Sequence, residues 1–156
     1  MTLRLFRNNL GSGVLASLLI LFSSAVAAQS IEDEAVAWLQ DFIRVDTVNP
    51  PGNETRAVEF YREIFDAEGI EYEWIESAPG RGNIWARLEG GDEPGLMLLQ
   101  HTDVVPADKE FWTTDPLSGE LRDGYILGRG ARDMKGTGIA HLATCNDLGF
   151  THCRGA

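Results

Sequence analysis

The sequence predicts an α/β fold, from three observations. Two stretches with apolar residues at helical spacing come first, short alternating or apolar runs bounded by glycine and proline come next, and a further helical pattern closes the series. The order is helix, helix, strand, strand, strand, short hairpin, helix. Apolar runs that end in polar residues place candidate chemistry at the carboxyl end of a strand, where open α/β sheets bind their ligands.

The first 28 residues stand apart. Arg4 and Arg7 precede an uncharged run from Leu10, most apolar over Val14–Phe22, that finishes in Ala25-Val26-Ala27-Ala28. This pattern predicts a signal peptide over 1–28, cleaved after Ala27 or Ala28, and a periplasmic or secreted protein. The competing reading is an uncleaved anchor, because Leu10–Ala28 approaches the roughly 20 residues of a bilayer span; its serines and glycines argue against that. The net charge is −11, and without Arg4 and Arg7 it is −13, from 11 basic and 24 acidic groups. Such a balance disfavours nucleic acid or anionic membrane as a partner. The 128 residues after Ala28 suffice for one small domain.

Ser30 is placed to cap a first helix, with Asp33 at a capping-box spacing and Ile31, Ala35, Leu39, Phe42 and Ile43 on its buried face. That helix ends before Asp46. Asn49-Pro50-Pro51-Gly52-Asn53 forms a turn, and 54–68 predicts a second helix, with Ala57, Tyr61, Ile64 and Phe65 inward and Gly69 as its C-terminal cap. Strands are expected over 70–74, which alternates strictly, and over 83–88. Gly90-Gly91-Asp92-Glu93-Pro94-Gly95 then turns the chain into Leu96-Met97-Leu98-Leu99, which reads as a buried central strand.

That run leads straight into Gln100-His101-Thr102-Asp103-Val104-Val105-Pro106. On a strand, residues two apart share a face, so His101 and Asp103 should lie together. A metal-binding imidazole needs a partner on its other nitrogen to set the tautomer, and Asp103 is placed for that. After the Asp123-Gly124 turn and a short strand over 125–127 comes Gly128-Arg129-Gly130-Ala131-Arg132-Asp133-Met134-Lys135-Gly136. Its glycines allow a bare loop around Asp133, whose two oxygens can bridge cations about 3.5–4 Å apart. A last helix starts near Gly136, with Ile139, Leu142 and Ala143 inward.

Other residues carry less. Gly128-Arg129-Gly130 is no dinucleotide fingerprint, since Asp133 stands where the third glycine belongs. His141 reads as an ordinary helix-face histidine, and His152 supports no inference. Arg129, Arg132 and Lys135 can hold a substrate carboxylate or balance Asp133, two roles the spacing does not separate. Cys145 and Cys153 can pair in an oxidising compartment.

The joint pattern of an apolar strand, HTDVVP, a tryptophan-containing loop and GRGARDMKG resembles the dinuclear zinc peptidase and deacylase family that includes aminoacylase, acetylornithine deacetylase, succinyl-diaminopimelate desuccinylase, carnosinase and glutamate carboxypeptidase. The resemblance extends upstream through Thr47-Val48-Asn49-Pro50-Pro51-Gly52-Asn53-Glu54 and covers roughly Ile31 to Thr144. It implies the N-terminal part of a zinc-exopeptidase-like catalytic domain over 29–144, with a mixed sheet flanked by helices, incomplete here. It further implies that His101 ligates one zinc, that Asp103 supports it, and that Asp133 bridges two zinc ions. The implied reaction is amide hydrolysis of small peptides or N-acyl amino acids, with the metals acidifying a water and a glutamate moving its proton. A second, lid-like domain that would set the substrate and carry homodimerisation has no counterpart in this sequence.

The departures from the family pattern are as informative. Its Glu-Glu pair, whose first member is the general base, its further acidic ligand and its late histidine are absent, and 145–156 contains no glutamate. The expectation is therefore a piece of a hydrolase, inactive alone, that binds metal weakly through His101 and Asp133, with 145–156 a frame-shifted or prematurely ended tail. A non-enzymatic binding module is the remaining reading.

Overall fold

The computed structural model describes residues 30–88 and 91–147. Helix α1 spans Ile31–Arg44. The Ser30 hydroxyl oxygen accepts from the Asp33 N–H at 3.2 Å, and Glu32, Asp33 and Glu34 occupy the first turn, where acids complement the helix dipole. Phe42 and Ile43 are fully buried.

Helix α2 spans Glu54–Glu68, within the predicted bounds. Gly69 ends it at φ 67°, with the Ile70 N–H donating to the Phe65 carbonyl at 2.8 Å and the Gly69 N–H to that of Asp66 at 3.3 Å. This double closure needs a left-handed residue, which glycine adopts without cost. Ala57, Tyr61, Ile64 and Phe65 are buried, as expected, and join Phe42, Ile70, Ile139 and Leu142 in one core. Phe42 stacks on Phe60 at 4.7 Å and meets Tyr61 edge-on at 5.3 Å, favoured aromatic geometries.

Strands β1 (Tyr72–Glu76) and β2 (Gly82–Ala86) form an antiparallel hairpin with Trp74 opposite Ile84. Their bounds differ from the predicted 70–74 and 83–88, because the Ile70 N–H is already used in closing α2. Strands β3 (Glu120–Arg122) and β4 (Tyr125–Leu127) form a second hairpin. Asp123 and Gly124 both have positive φ, 51° and 81°, as a tight two-residue hairpin turn requires. This hairpin leans on α1: Gln40 Nε2 donates to the Gly119 carbonyl at 2.8 Å and Arg44 Nε to that of Ser118 at 3.0 Å.

Helix α3 spans Lys135–Asp147 and packs against α1. Ile139 and Leu142 are buried and Ala143 is half-buried. The helix continues past Thr144, where the apolar periodicity fades, through Cys145, a free thiol whose pKa burial pushes up. Cys153 and His152, the leader over 1–28 and most of the expected tail lie outside the described residues. No described helix is long and apolar enough to cross a membrane.

One expectation fails. The run from Leu96 to Leu99 is extended but belongs to no sheet, and Leu96, Met97, Leu98 and Leu99 are 86%, 80%, 42% and 74% exposed. A buried strand needs hydrogen-bonding neighbours at its edges. Among the described residues the two sheets are the separate hairpins β1-β2 and β3-β4, and the nearest parallel pairing is the single Val48–Val104 bridge. The class is α/β, with small sheets in place of the expected mixed one.

Candidate active site

The segment between α1 and α2 docks on the polar end of the extended run. Val104 N–H donates to the Thr47 carbonyl at 3.1 Å, Asn49 N–H to that of Val104 at 2.8 Å, and the Thr47 hydroxyl to that of Thr102 at 2.6 Å. Thr47 is fully buried and Val104 nearly so. The apolar Val104 thus anchors this stretch while His101 and Asp103, on alternate positions, face the other way.

Asp133 arrives from the loop after β4. Gly130 turns that loop at φ 87°, and a Cβ there would sit 2.7 Å from Val104 Cγ1, so glycine is needed for both the conformation and the approach. Gly136 lies within α3, so it does not loosen the loop as expected. The Lys135 N–H closes the loop on the Gly130 carbonyl at 2.9 Å.

The result is a contact between three residues singled out in the sequence. His101 Nε2 lies 3.0 Å from Asp133 Oδ1, and His101 Nδ1 lies 3.3 Å from Asp103 Oδ1 and 3.0 Å from the Asp103 carbonyl oxygen. The imidazole is half-exposed and the Asp133 carboxylate is open to solvent. Desolvation pulls the His101 pKa down, but the Asp133 hydrogen bond, the Asp103 carbonyl and the two carboxylate charges outweigh it and leave the ring above its usual value. The charged imidazolium therefore stabilises the metal-free chain below about pH 6.5, and that contribution is lost as pH rises through the raised value. Asp133→Asn should lower the His101 pKa; an NMR titration of the ring protons that shows no downward shift would remove Asp133 as the cause.

Lys135 is elsewhere. Its fully buried amine donates to the Phe42 carbonyl at 2.8 Å and the Val45 carbonyl at 2.7 Å, 4.7 Å from the centre of the Phe42 ring. Of the two roles left open for it, substrate carboxylate or balance for Asp133, it fills neither. It caps the end of α1, donating to the Val45 carbonyl and adding a second donor to the Phe42 carbonyl, which already accepts the Val45 N–H at 3.2 Å. Burial lowers its pKa to about 8, against the opposing charge of Asp46. Arg129 lies over the Trp112 ring, 5.3 Å from its centre. Arg132 is exposed.

A cleft of about 340 Å³ adjoins His101, with Glu54, Arg81, Asn83 and Gln100 among its walls. Glu54, buried at the start of α2, pairs with Arg81 Nε at 2.9 Å, off the angle of a hydrogen bond, so the attraction is Coulombic. A larger groove of about 600 Å³ between α1 and α2 contains none of the three site residues. Asn49 and Lys135 are the residues to which motif reading gave no defined role. Both act through carbonyl or carboxylate partners distant in sequence, which spacing does not reveal.

His101 Nε2 and the Asp133 carboxylate have the chemistry of metal ligands, and the partner on Nδ1 fits a ligating imidazole. They amount to half a site, because zinc takes about four ligands. Among the described residues no group of three or more His, Cys, Asp or Glu is arranged to hold a metal ion.

Residues 97–152 match the model of peptidase family M20/M25/M40. The chain is 37% identical over 121 residues to aminoacylase-1 of Sus scrofa, covering 75% of this chain and 30% of that protein. It is 41% identical over 125 residues to a succinyl-diaminopimelate desuccinylase of Methylobacterium sp. (strain 4-46), covering 77% and 30%. Its fold is similar to the crystal structure of an M20 family metallo-carboxypeptidase from Sulfolobus solfataricus, with TM-score 0.64 at 24% identity over 74% of this chain and 28% of that one. The chain thus spans about three tenths of the length of these relatives. In the motifs around His101 and Asp133 and in these identities, the chain is similar to members of peptidase family M20/M25/M40.

Proposed function

We propose that this chain carries the first part of a zinc hydrolase site that cleaves an amide bond in small peptides or N-acyl amino acids. The observation that carries the reading is His101 held between two carboxylates, with Asp103 on Nδ1 and Asp133 on Nε2. His101 and Asp133 would hold the metal, and Asp103 would orient the ring. Zinc, when bound, supplies Lewis acidity to the scissile carbonyl. Asp103 keeps the proton on Nδ1 and so leaves the Nε2 lone pair free for the metal. The cleft that His101 and Asp103 line offers room for a small substrate.

The chain by itself is inactive on this reading, since its described residues bring two ligating groups together and the carboxylate beside them, Asp103, is engaged with His101 Nδ1 and Asn49. The two relatives named above, an aminoacylase and a desuccinylase, support an N-acyl amino acid as substrate. Arg4, Arg7 and the uncharged run after them support export to the periplasm or beyond.

Equilibrium dialysis of the purified chain against zinc, with a parallel assay of N-acetyl amino acid and dipeptide hydrolysis, tests both statements. The expected result is weak binding of one ion and no hydrolysis. Tight binding of two ions with turnover would overturn the inactivity. A folded chain that binds no zinc at all would overturn the ligand roles of His101 and Asp133.

A further inference from the structure

Asn49 has a spare side chain. Its backbone N–H already docks on the Val104 carbonyl at 2.8 Å, so the pairing of the two segments does not need the carboxamide. That carboxamide turns instead to the site, where Nδ2 donates to Asp103 Oδ2 at 3.0 Å. A carboxylate only accepts, so the amide group facing it is the NH2. The second oxygen, Oδ1, is the one 3.3 Å from His101 Nδ1. Each oxygen of Asp103 thus has one partner: Asn49 holds the first and the imidazole meets the second.

The terminal torsion of an aspartate is soft, and only a partner on one oxygen fixes where the other points. Asn49 is itself held from both sides, by the pairing of Thr47 and Asn49 with Val104 and by the turn that follows. There the Gly52 N–H donates to the Val48 carbonyl at 2.9 Å, and Arg81 Nη1 reaches the Pro51 carbonyl at 3.3 Å.

We propose that Asn49 is a positioning residue that aims the Asp103 carboxylate at His101 Nδ1, and so presents Nε2 to a metal shared with Asp133. This rests on the reading of His101 as a ligand. The Asp103 carbonyl, also 3.0 Å from Nδ1, keeps the ring in rough orientation without Asn49. What the loss of the amide removes is the negative charge fixed opposite Nδ1, which raises the basicity of the ligating nitrogen.

The test compares Asn49→Ala, the isosteric Asn49→Asp and Thr47→Val in the full chain. Thr47→Val loosens the same junction, by deleting the Thr47–Thr102 hydrogen bond, without touching Asp103. Zinc affinity is read by competition with a chelating dye, folding by thermal unfolding, and the His101 Nδ1 resonance by nitrogen NMR on the metal-free chain at pH 9. Both Asn49 variants should lose about 10-fold or more in affinity, the scale for an outer partner of a metal ligand, and should shift Nδ1. Thr47→Val should lower the unfolding temperature while keeping affinity within about twofold and Nδ1 in place. Unchanged affinity and an unchanged Nδ1 shift in folded Asn49 variants would overturn the proposal, as would equal losses in Thr47→Val. If the unaltered chain binds no zinc, the ligand reading of His101 fails, and the Nδ1 comparison alone decides the role of Asn49.

Discussion

His101→Ala should abolish zinc binding over the whole concentration range in which the unaltered chain binds it. The imidazole is one of two ligating groups that the described residues bring together, and its removal leaves Asp133 as a lone exposed carboxylate. Zinc sites take about four ligands, so a site that retains one has no chelate left. Asp103→Asn leaves the ligand pair intact and weakens only the partner on Nδ1, for which a loss of about 10–100-fold is expected. The order of effects, His101→Ala far beyond Asp103→Asn, is the diagnostic feature. Titration of each folded variant with zinc and a competing dye reads it directly. Wild-type affinity in His101→Ala would place the metal elsewhere.

Lys135→Met should destabilise the chain by about 1–3 kcal/mol near pH 10, because it leaves the part-buried Val45 carbonyl without this donor and the buried Phe42 carbonyl with the Val45 N–H alone. The loss should shrink as pH falls. Folded Lys135 titrates at about 8, against 10.5 for the free side chain, so between those values the unfolded chain binds more protons. Its contribution to stability then increases with pH, at about 1.4 kcal/mol per unit while the difference is full. Below pH 8 the wild-type chain bears the whole cost of burying the charge, which methionine avoids. Above it, the neutral amine still has the two N–H groups that the two carbonyls need. Urea unfolding of both proteins at pH 7, 8, 9 and 10 reads the difference. A gap that does not change with pH would show that Lys135 stays charged in the folded chain, held by its carbonyls and the Phe42 ring.

These two residues mark the division between what sequence and structure determine. Local patterns were enough for the helices: Ser30 with Asp33, the helical spacing of Leu39 and Phe42 in one and of Ala57, Tyr61 and Phe65 in the next, and Gly69 all act within a few residues of themselves. The Asp123-Gly124 turn was legible for the same reason, since its positive φ values depend on residue type. The adjacency of His101 and Asp103 also followed from local geometry, as residues two apart in an extended chain share a side.

The rest depended on contacts that sequence spacing does not encode. Leu96-Met97-Leu98-Leu99 reads as a buried strand, but burial of a strand is a property of its neighbours, and the described residues place none beside it. Lys135 reads as a companion of Asp133, two residues away, yet the start of α3 aims its amine at the end of α1, some 90 residues earlier. Asn49 joins Asp103 across 54 residues in the same way. The sequence by itself determined which residue types could form the site, because metal chemistry demands imidazole and carboxylate. Only the tertiary structure decided which of them meet, because hydrogen bonds of about 3 Å are made by packing and not by order along the chain.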